Sequence, residues 1–353
     1  MPPASAPRLL FVPVSAATGS GEYTRCLMLA DAARARWPEA AIHFLLSAQA
    51  PYAASAPYPK TLFPGSATLH DTLGQQAIER FKPDIAVFDN SGRRGQLLAA
   101  RAVGARVVYL SSRPRPRAKA FRLRRLRLID ELWFPYPQFI AGGLTPVEAL
   151  KLRLLRRPQI RYLDYLLPQP DPTAAAATLA RLALSSGRYV LVIGGGGGGH
   201  PGAEQAPAVY AAVATALAHA GHSVVVLGAP APADAPPSIR WPGRLTPAEV
   251  AALLPGAELI VTNGGAALVQ ALGCGRPVLA APVAADQALR IERGARLGAL
   301  AAAPLVARRL TEAALGLLAA PAARAELAAG AARLKLSNGL ATALAAFTGL
   351  LAR

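Results

Sequence analysis

ELIVTNGGAALVQALGCGRPVLAAPVAADQ, residues 258–287, is the segment from which we predict the fold of this chain. The stretch alternates short apolar runs with turn-forming residues, and its segments have the lengths of ordinary elements: strand 259–261, glycine turn 262–265, helix 266–272, Gly and Pro stop 273–277, strand 278–281 and loop 282–287. Continuous apolar runs bounded in this way are typical of parallel strands that are buried on both faces. The stretch therefore predicts a β-loop-α-β unit.

Two loops of this unit carry groups that suit a phosphorylated ligand. Gly264 and Gly265 present backbone N–H groups beside a helix N-terminus, an arrangement that favours anions and above all phosphate. Asp286 and Gln287 place a carboxylate beside an amide, and this pair could grip vicinal hydroxyls next to the phosphate. An ordinary βαβ unit also explains the Gly and Pro residues, but it leaves Asp286 and Gln287 without a role.

The order TNGG, Gln270, GRP and P-x-x-x-D-Q resembles the donor-binding signature of GT-B nucleotide-sugar glycosyltransferases. Within that family it is similar to the UDP-sugar transferases and to the bacterial enzyme that adds N-acetylglucosamine to the lipid-linked peptidoglycan precursor. The resemblance implies that the glycine loop holds the diphosphate, that Gln270 binds the ribose, and that Asp286 and Gln287 contact sugar hydroxyls. Asn263 stands where many relatives have His, and Gln270 where most have Glu, so UDP is a preference only. Glutamine still hydrogen-bonds a ribose, without the charge.

The composition predicts a two-domain cytoplasmic protein. A chain of 353 residues with 53% hydrophobic residues has enough apolar surface for two sizeable cores. No uncharged apolar run approaches the ~20 residues that span a bilayer, and we interpret 9–14 as the first strand and not as a signal peptide. Cys26 and Cys274 lack metal-ligand neighbours and suit a reducing compartment.

The net charge of +18 is concentrated in the first half. Through Pro168 there are 24 Lys and Arg residues against 11 Asp and Glu, a balance of +13, whereas the remainder has 14 against 9, a balance of +5. An anionic partner is therefore expected there: nucleic acid, acidic lipid or a phosphorylated acceptor. Nucleic acid is disfavoured, because the basic stretch has few interleaved aromatic residues for stacking.

Within this half, residues 113–127 contain eight basic residues and no acid. Prolines separate the first arginines, so we predict an extended loop over 113–117 that contacts phosphate or anionic lipid; a merely solvated basic loop is the alternative. Thr145, Pro146 and Glu148 form the capping-box start of a helix on which Val147, Leu150 and Leu154 share one face. This face is a candidate membrane-surface element, and packing against the first domain is the alternative. The stretch 51–68 has little periodicity and predicts a loop that is either acceptor-side or disordered, and 158–172 predicts the linker between domains.

The first predicted strand is followed by ATGSGEYTR, residues 17–25. Gly19 and Gly21 allow close backbone approach, and Arg25 lies on the first turns of the next helix, so all three are candidate acceptor contacts. This loop resembles the G-x-G-H-x-x-R loop of the same glycosyltransferases and of related sugar-nucleotide hydrolases. The resemblance places Glu22 where those enzymes tend to have a catalytic His, and a carboxylate can serve as general base. An acidic first-turn residue favoured by the helix dipole is the alternative.

Asp89 follows a predicted strand over 85–88, and active residues of open α/β sheets collect at such ends. It is the second candidate base. Arg93 at the next helix start and Arg113 in the basic stretch are candidate acceptor contacts, although an ordinary N-cap with solvated arginines explains 89–94 equally well.

The second domain opens with a strand over 188–193 and six glycines, 194–199. A Gly run between a strand and a helix makes an anion nest, so Gly195, Gly196, Gly197 and Gly198 are candidate donor contacts. Neither a P-loop nor a convincing dinucleotide fingerprint is present. The resemblance further implies that Arg244 and Leu245 lie on the base side of the nucleotide.

These patterns together predict an α/β protein of the GT-B class, with two facing Rossmann-like domains and a central interdomain cleft. The predicted domains are 1–168 for the acceptor, 169–335 for the donor, and a helix in 336–353 that crosses back to the first. The expected function is an inverting glycosyl transfer to an anionic or lipid-linked acceptor, with no cofactor and no metal, in the cytoplasm or at the inner face of an anionic membrane. A sugar-nucleotide hydrolase or epimerase, a nucleic-acid-binding protein and an inert binding protein are the alternatives.

Overall fold

A computed structural model describes residues 6–15, 20–195, 204–229, 231–232 and 235–352. The chain divides into two units, Met1–Leu166 with Asn338–Arg353, and Leu167–Ser337. The corresponding predicted limits were 168 and 336.

The described part of the first unit forms a parallel sheet of seven strands in the order β3-β2-β1-β4-β5-β6-β7. The strands are β1 (Arg8–Pro13), β2 (Ala41–Ser47), β3 (Lys60–Phe63), β4 (Ile85–Asp89), β5 (Arg106–Leu110), β6 (Glu131–Phe134) and β7 (Gln159–Tyr162). The helices between them are α1 (Gly21–Arg36), α2 (Asp71–Phe81), α3 (Arg94–Ala102), α4 (Pro114–Ala120), α5 (Leu123–Leu126), α6 (Gln138–Ala141) and α7 (Pro146–Leu155). The central strands β1 and β4 are buried on both faces, because helices cover each side of the sheet.

The described part of the second unit repeats the pattern with six strands in the order β10-β9-β8-β11-β12-β13. They are β8 (Val190–Ile193), β9 (Val224–Leu227), β10 (Ile239–Arg240), β11 (Leu259–Thr262), β12 (Val278–Ala280) and β13 (Ala301–Ala302). The helices are α8 (Pro172–Arg181), α9 (Ala206–His219), α10 (Pro247–Leu253), α11 (Ala266–Gly273), α12 (Ala285–Arg296), α13 (Ala307–Ala319) and α14 (Pro321–Arg333). In each sheet the strand order reverses beside the first strand, between β1 and β4 and between β8 and β11. Such a reversal is where open α/β sheets bind ligands.

The last helix, α15 (Gly339–Leu351), belongs to the first unit. Ala343, Phe347 and Leu350 are buried in the core that also contains Trp133, whose ring centroid lies 5.3 Å from that of Phe347. The helix therefore completes the hydrophobic core on one side of the first sheet.

Four segment predictions were wrong. The predicted loop 51–68 contains β3, an edge strand that pairs with β2, and it buries Tyr52 and Ala53. The predicted linker contains β7, which pairs with β6. Residues 114–120 are helical and not extended, because the two prolines lie in the first turn, where the missing N–H groups have no intrahelical acceptor to lose. The predicted loop 282–287 ends early, since α12 already begins at Ala285.

Candidate functional site

Asn263 ties together the two loops at the strand reversal of the second unit. It follows β11 and is 5% exposed. Its Nδ2 donates to the carbonyl of Gly194 after β8 (3.0 Å), and its Oδ1 accepts from the backbone N–H of Gly265 (2.8 Å). A Cβ on Gly195 would lie 2.9 Å from the Asn263 Nδ2, so glycine lets the two loops approach closely. Asn263 thus fixes the shape of this edge of the sheet.

Like Asn263, Gln287 holds loops together. This role differs from the sugar contact that the resemblance implied. Its side chain is buried, and its Oε1 accepts from the backbone N–H groups of Gly264 (3.1 Å) and Val283 (3.0 Å). The loops after β11 and β12 are therefore held to the first turn of α12. The same contacts show that the amides of Gly264 and Gly265 already have acceptors within the protein, so they are not free for an anion.

Two helix starts, those of α11 and α12, contribute further polar groups at the strand reversal of the second sheet. The first N–H groups of α11, beginning at Ala266, have no intrahelical acceptor and carry the positive end of the helix dipole. Asp286 on the first turn of α12 has a side chain that is 44% exposed and forms an ion pair with Arg290. Arg290 also donates from Nη1 to the carbonyl of Gly264 (3.1 Å). The carboxylate of Asp286 is therefore linked through Arg290 to the loop that precedes α11.

The other predicted donor residues differ in exposure. Gln270 lies half-buried on α11, Arg244 is exposed before α10, and Leu245 is half-buried. Trp241, three residues before Arg244, has a buried Nε1 without a hydrogen-bond partner among the described residues. Gly196, Gly197 and Gly198 lie outside the described residues, as does Gly19 in the first unit.

Asp89 lies at the strand reversal of the first unit, where β4 ends. Its carboxylate is fully buried and makes a bidentate ion pair with Arg25 of α1, at 2.7 Å from Nε to Oδ2 and 2.9 Å from Nη2 to Oδ1. Burial raises the pKa of Asp89 to about 6, although the Arg25 guanidinium opposes this shift. For Arg25, burial acts to lower the pKa, but the contact with Asp89 prevails and raises it above its usual value. Both groups are therefore charged at neutral pH, and neither is open to a large ligand.

Glu22 lies next to this pair on the first turn of α1. Its Oε1 accepts from Asn90 Nδ2 (3.0 Å) and pairs with Arg113 Nη2 (2.6 Å). Burial acts to raise the pKa of Glu22, but the charges of Arg25 and Arg113 outweigh it and hold the pKa below its usual value. The Glu22 side chain is 11% exposed and that of Asp89 is fully buried, so the Glu22 carboxylate lies nearer to solvent.

Asn90 links Glu22 to Ser112, and it was not among the residues predicted for the site. Its backbone φ is +52°, in the left-handed region that Asn tolerates better than most residues. Its side chain contacts Glu22, donates to Ser112 Oγ (2.5 Å) and accepts from the Ser112 backbone N–H (3.0 Å). An Asn directly after a strand-terminal Asp was the available signal.

The remaining acceptor candidates lie around this cluster. Arg93 is the exposed N-cap residue of α3. Gly21 begins α1, and an added Cβ there would meet nothing within 4 Å, so glycine is not required by packing. In the described part of the chain, no three His, Cys, Asp or Glu side chains group closely enough to share a metal ion. Among its helices, none has the length and apolar content needed to cross a membrane.

The sequence matches no protein-family model and no curated protein. Solved structures are similar over nearly the whole chain. The spinosyn forosaminyltransferase SpnP is 16% identical, with a TM-score of 0.67 over 99% of this chain and 100% of that one. The glycosyltransferase VinC in complex with dTDP is 15% identical, with a TM-score of 0.63 over 98% and 100%. MurG of Acinetobacter baumannii is 14% identical, with a TM-score of 0.55 over 92% and 94%. At these identities the likeness shows the fold, which is GT-B with two Rossmann-like units.

Proposed function

We propose that this chain is a glycosyltransferase that moves a sugar from a nucleotide-sugar donor to an acceptor hydroxyl. The observation that carries the proposal is the edge of the second sheet, where Asn263 and Gln287 brace three loops around the N-terminus of α11 and the carboxylate of Asp286. A positive helix end beside an exposed carboxylate suits a diphosphate next to a sugar. The GT-B fold adds support.

The proposed donor is a nucleoside diphosphate sugar. The α11 amides, with Gly195 to Gly198, would bind the diphosphate, Gln270 the ribose, Asp286 the sugar hydroxyls, and Arg244 with Leu245 the base side. UDP is the preferred nucleotide, and dTDP is a second candidate because the VinC structure contains dTDP.

Glu22 is the proposed general base, and Asp89 is reassigned to a positioning residue. Asp89 is fully buried and both its oxygens bind Arg25, so it orients Arg25 without touching the acceptor. In the proposed step Glu22 takes the proton of the acceptor hydroxyl. The hydroxyl oxygen attacks the anomeric carbon. The bond between that carbon and the diphosphate oxygen breaks, so that the nucleoside diphosphate leaves with the electron pair. We propose inversion at the anomeric carbon, with the α11 amides and not a metal ion stabilising the departing charge.

The proposed acceptor is anionic or lipid-linked, and the proposed place of action is the cytoplasmic face of an anionic membrane. The +13 balance of the first 168 residues supports an anionic partner. Val147, Leu150 and Leu154 of α7 are 61%, 55% and 73% exposed, so the helix presents aliphatic side chains to the surroundings. Such a stripe next to basic residues is typical of helices that lie on membranes.

A panel of UDP- and dTDP-sugars, with and without membrane extract, tests the proposal. We expect release of nucleoside diphosphate that depends on the acceptor, and we expect Glu22→Gln to lower kcat by about 10²–10⁴-fold. The matched control is Glu39→Gln, an exposed acid of the same unit, which should leave the rate unchanged.

Acceptor-independent release would instead support the hydrolase alternative on the same scaffold. Absence of both donor binding and diphosphate release across the panel would overturn the proposal.

A further inference from the structure

Four arginines line a pocket on the first unit that the proposed reaction does not use. The pocket has a volume of about 490 Å³ and is formed by Arg94, Arg122, Leu123, Arg124 and Arg125. No acidic residue belongs to its lining. Its volume is within the range of about 300–1,000 Å³ that holds small ligands.

Arg125 is held in place within this pocket. Its Nη2 donates to the carbonyl of Gly92 (3.0 Å), and its guanidinium lies 5.3 Å from the centroid of the Tyr109 ring. Its Nε is buried and has no hydrogen-bond partner among the described residues. A buried donor without an acceptor costs free energy, so the described protein groups do not fully satisfy this guanidinium.

The other arginines of the pocket also lack anionic partners. Arg113 and Arg117, in the same part of the chain, pair with Glu22 and Glu148. Arg94, Arg122 and Arg124 form no ion pair with any described residue.

Arg94 occupies the first position of α3, where the helix dipole disfavours positive charge. The carboxylate of Asp71 lies against Gly95, but Asp71 does not line the pocket. The four positive charges around the pocket repel each other, and a bound multivalent anion would replace this repulsion with electrostatic attraction.

We propose that this pocket is a binding site for a phosphoryl group, either a free diphosphate or the phosphate of a lipid headgroup. Guanidinium groups match phosphate oxygens through paired hydrogen bonds, so four of them favour a ligand with several such oxygens. Leu123 adds an apolar wall and is 48% exposed, which leaves room for a carbon chain beside the phosphate.

The pocket is distinct from the Glu22 cluster. Tyr109, under Arg125, belongs to the core with Val107 and Phe88 on one side of the sheet. The helix that carries Glu22 packs on the other side, with Val108 and Leu110. The site therefore stands independently of the proposed sugar transfer.

Calorimetric titration of the full chain with inorganic diphosphate tests this site. We expect saturable binding that weakens at least tenfold in the double variant Arg94→Gln/Arg124→Gln. The matched control is Arg115→Gln/Arg127→Gln, two exposed arginines of the same region that remove the same charge but do not line the pocket. It should change the affinity less than twofold.

A second arm separates the two sources of phosphate. Three results together would identify a lipid headgroup as the ligand. The chain binds phosphatidylglycerol vesicles, inorganic diphosphate displaces them, and the Arg94→Gln/Arg124→Gln variant does not bind them. Diphosphate binding without vesicle binding would identify a soluble ligand.

Equal weakening in both double variants, or binding of neither probe, would overturn the proposal. Ligand-free thermal unfolding checks that each variant is folded. Arg122→Gln alone, which also lines the pocket, replaces the double variant if that one does not fold.

Discussion

Arg25 and Asp89 form a buried ion pair whose two halves depend on each other. The Asp89 side chain is fully buried and that of Arg25 is 8% exposed. Removing one partner leaves the other charge without compensation in a dry environment, which costs about 3–5 kcal/mol. We therefore expect Arg25→Met to lower the free energy of unfolding by that amount, as measured by denaturant titration. The double variant Arg25→Met/Asp89→Leu should lose less, and a double variant that loses more than Arg25→Met would contradict this account.

Glu22 should titrate below the usual range of a glutamate, because Arg25 and Arg113 stabilise its charged form. A carboxyl whose folded-state pKa is lowered stabilises the protein above its unfolded pKa, and this contribution is lost as the pH falls through the folded value. Arg113→Gln removes one of the two charges, so we expect the pKa of Glu22 to rise. The acid limb of kcat/KM would move to higher pH with it.

Carbon-13 NMR titration of the Glu22 carboxyl measures this shift without reference to activity. Arg115→Gln is the control, since Arg115 makes no described contact with Glu22. An unchanged Glu22 pKa in Arg113→Gln would show that the ion pair does not set it.

At the scale of elements, α12 holds the loops of the second sheet through one side chain. Gln287 Oε1 accepts from two backbone N–H groups, those of Gly264 and Val283. Gln287→Leu keeps the shape but removes the acceptor, and each buried N–H left unpaired costs about 1–3 kcal/mol. We expect a clear loss of thermal stability in Gln287→Leu and almost none in Asp286→Asn, whose side chain is 44% exposed. Similar losses in both variants would contradict the bracing role of Gln287.

The long apolar elements could be predicted from the sequence, and the short edge elements could not. The strand over 85–88 and the helix start at Thr145 were predicted, because burial on two faces and a capping box are local signals. Edge strands β3 and β7 were missed, since KTLF and QIRY bury little apolar surface and take their conformation from pairing with a neighbour.

In the candidate site, the positions of the segments could be predicted from the sequence, but the contacts of their side chains could not. The segments that carry Asn263, Gly264 and Asp286 could be placed at a strand edge from the sequence, because a strand end and a helix start follow from local pattern. The partners of the side chains could not. The pairing of Asp89 with Arg25 joins residues 64 positions apart, and the two amides bound by Gln287 depend on how α12 packs. Long-range contacts of this kind leave no periodic signal in one sequence.

On the scale of the whole molecule, the two units repeat one architecture with separate cores. Both sheets place their first strand beside a reversal of strand order, and both collect polar side chains there, Asp89 and Asn90 in one and Asn263 in the other. In three hydrophobic clusters of the described residues, all side chains of a cluster come from one unit. The stability of each unit should therefore respond to its own core.

This independence can be tested with one buried side chain from each core. Phe347 of α15 is fully buried in the first unit and Leu217 of α9 is fully buried in the second. We expect Phe347→Ala to cost about 3–5 kcal/mol and Leu217→Ala about 2–5 kcal/mol, because each leaves a cavity.

Hydrogen exchange should show faster exchange in β1 and β4 for Phe347→Ala, with β8 and β11 unchanged, and the reverse for Leu217→Ala. The first result also tests α15 itself. Since this helix follows the second unit in sequence but packs in the core of the first, unchanged protection of β1 and β4 would show that the first unit does not need it.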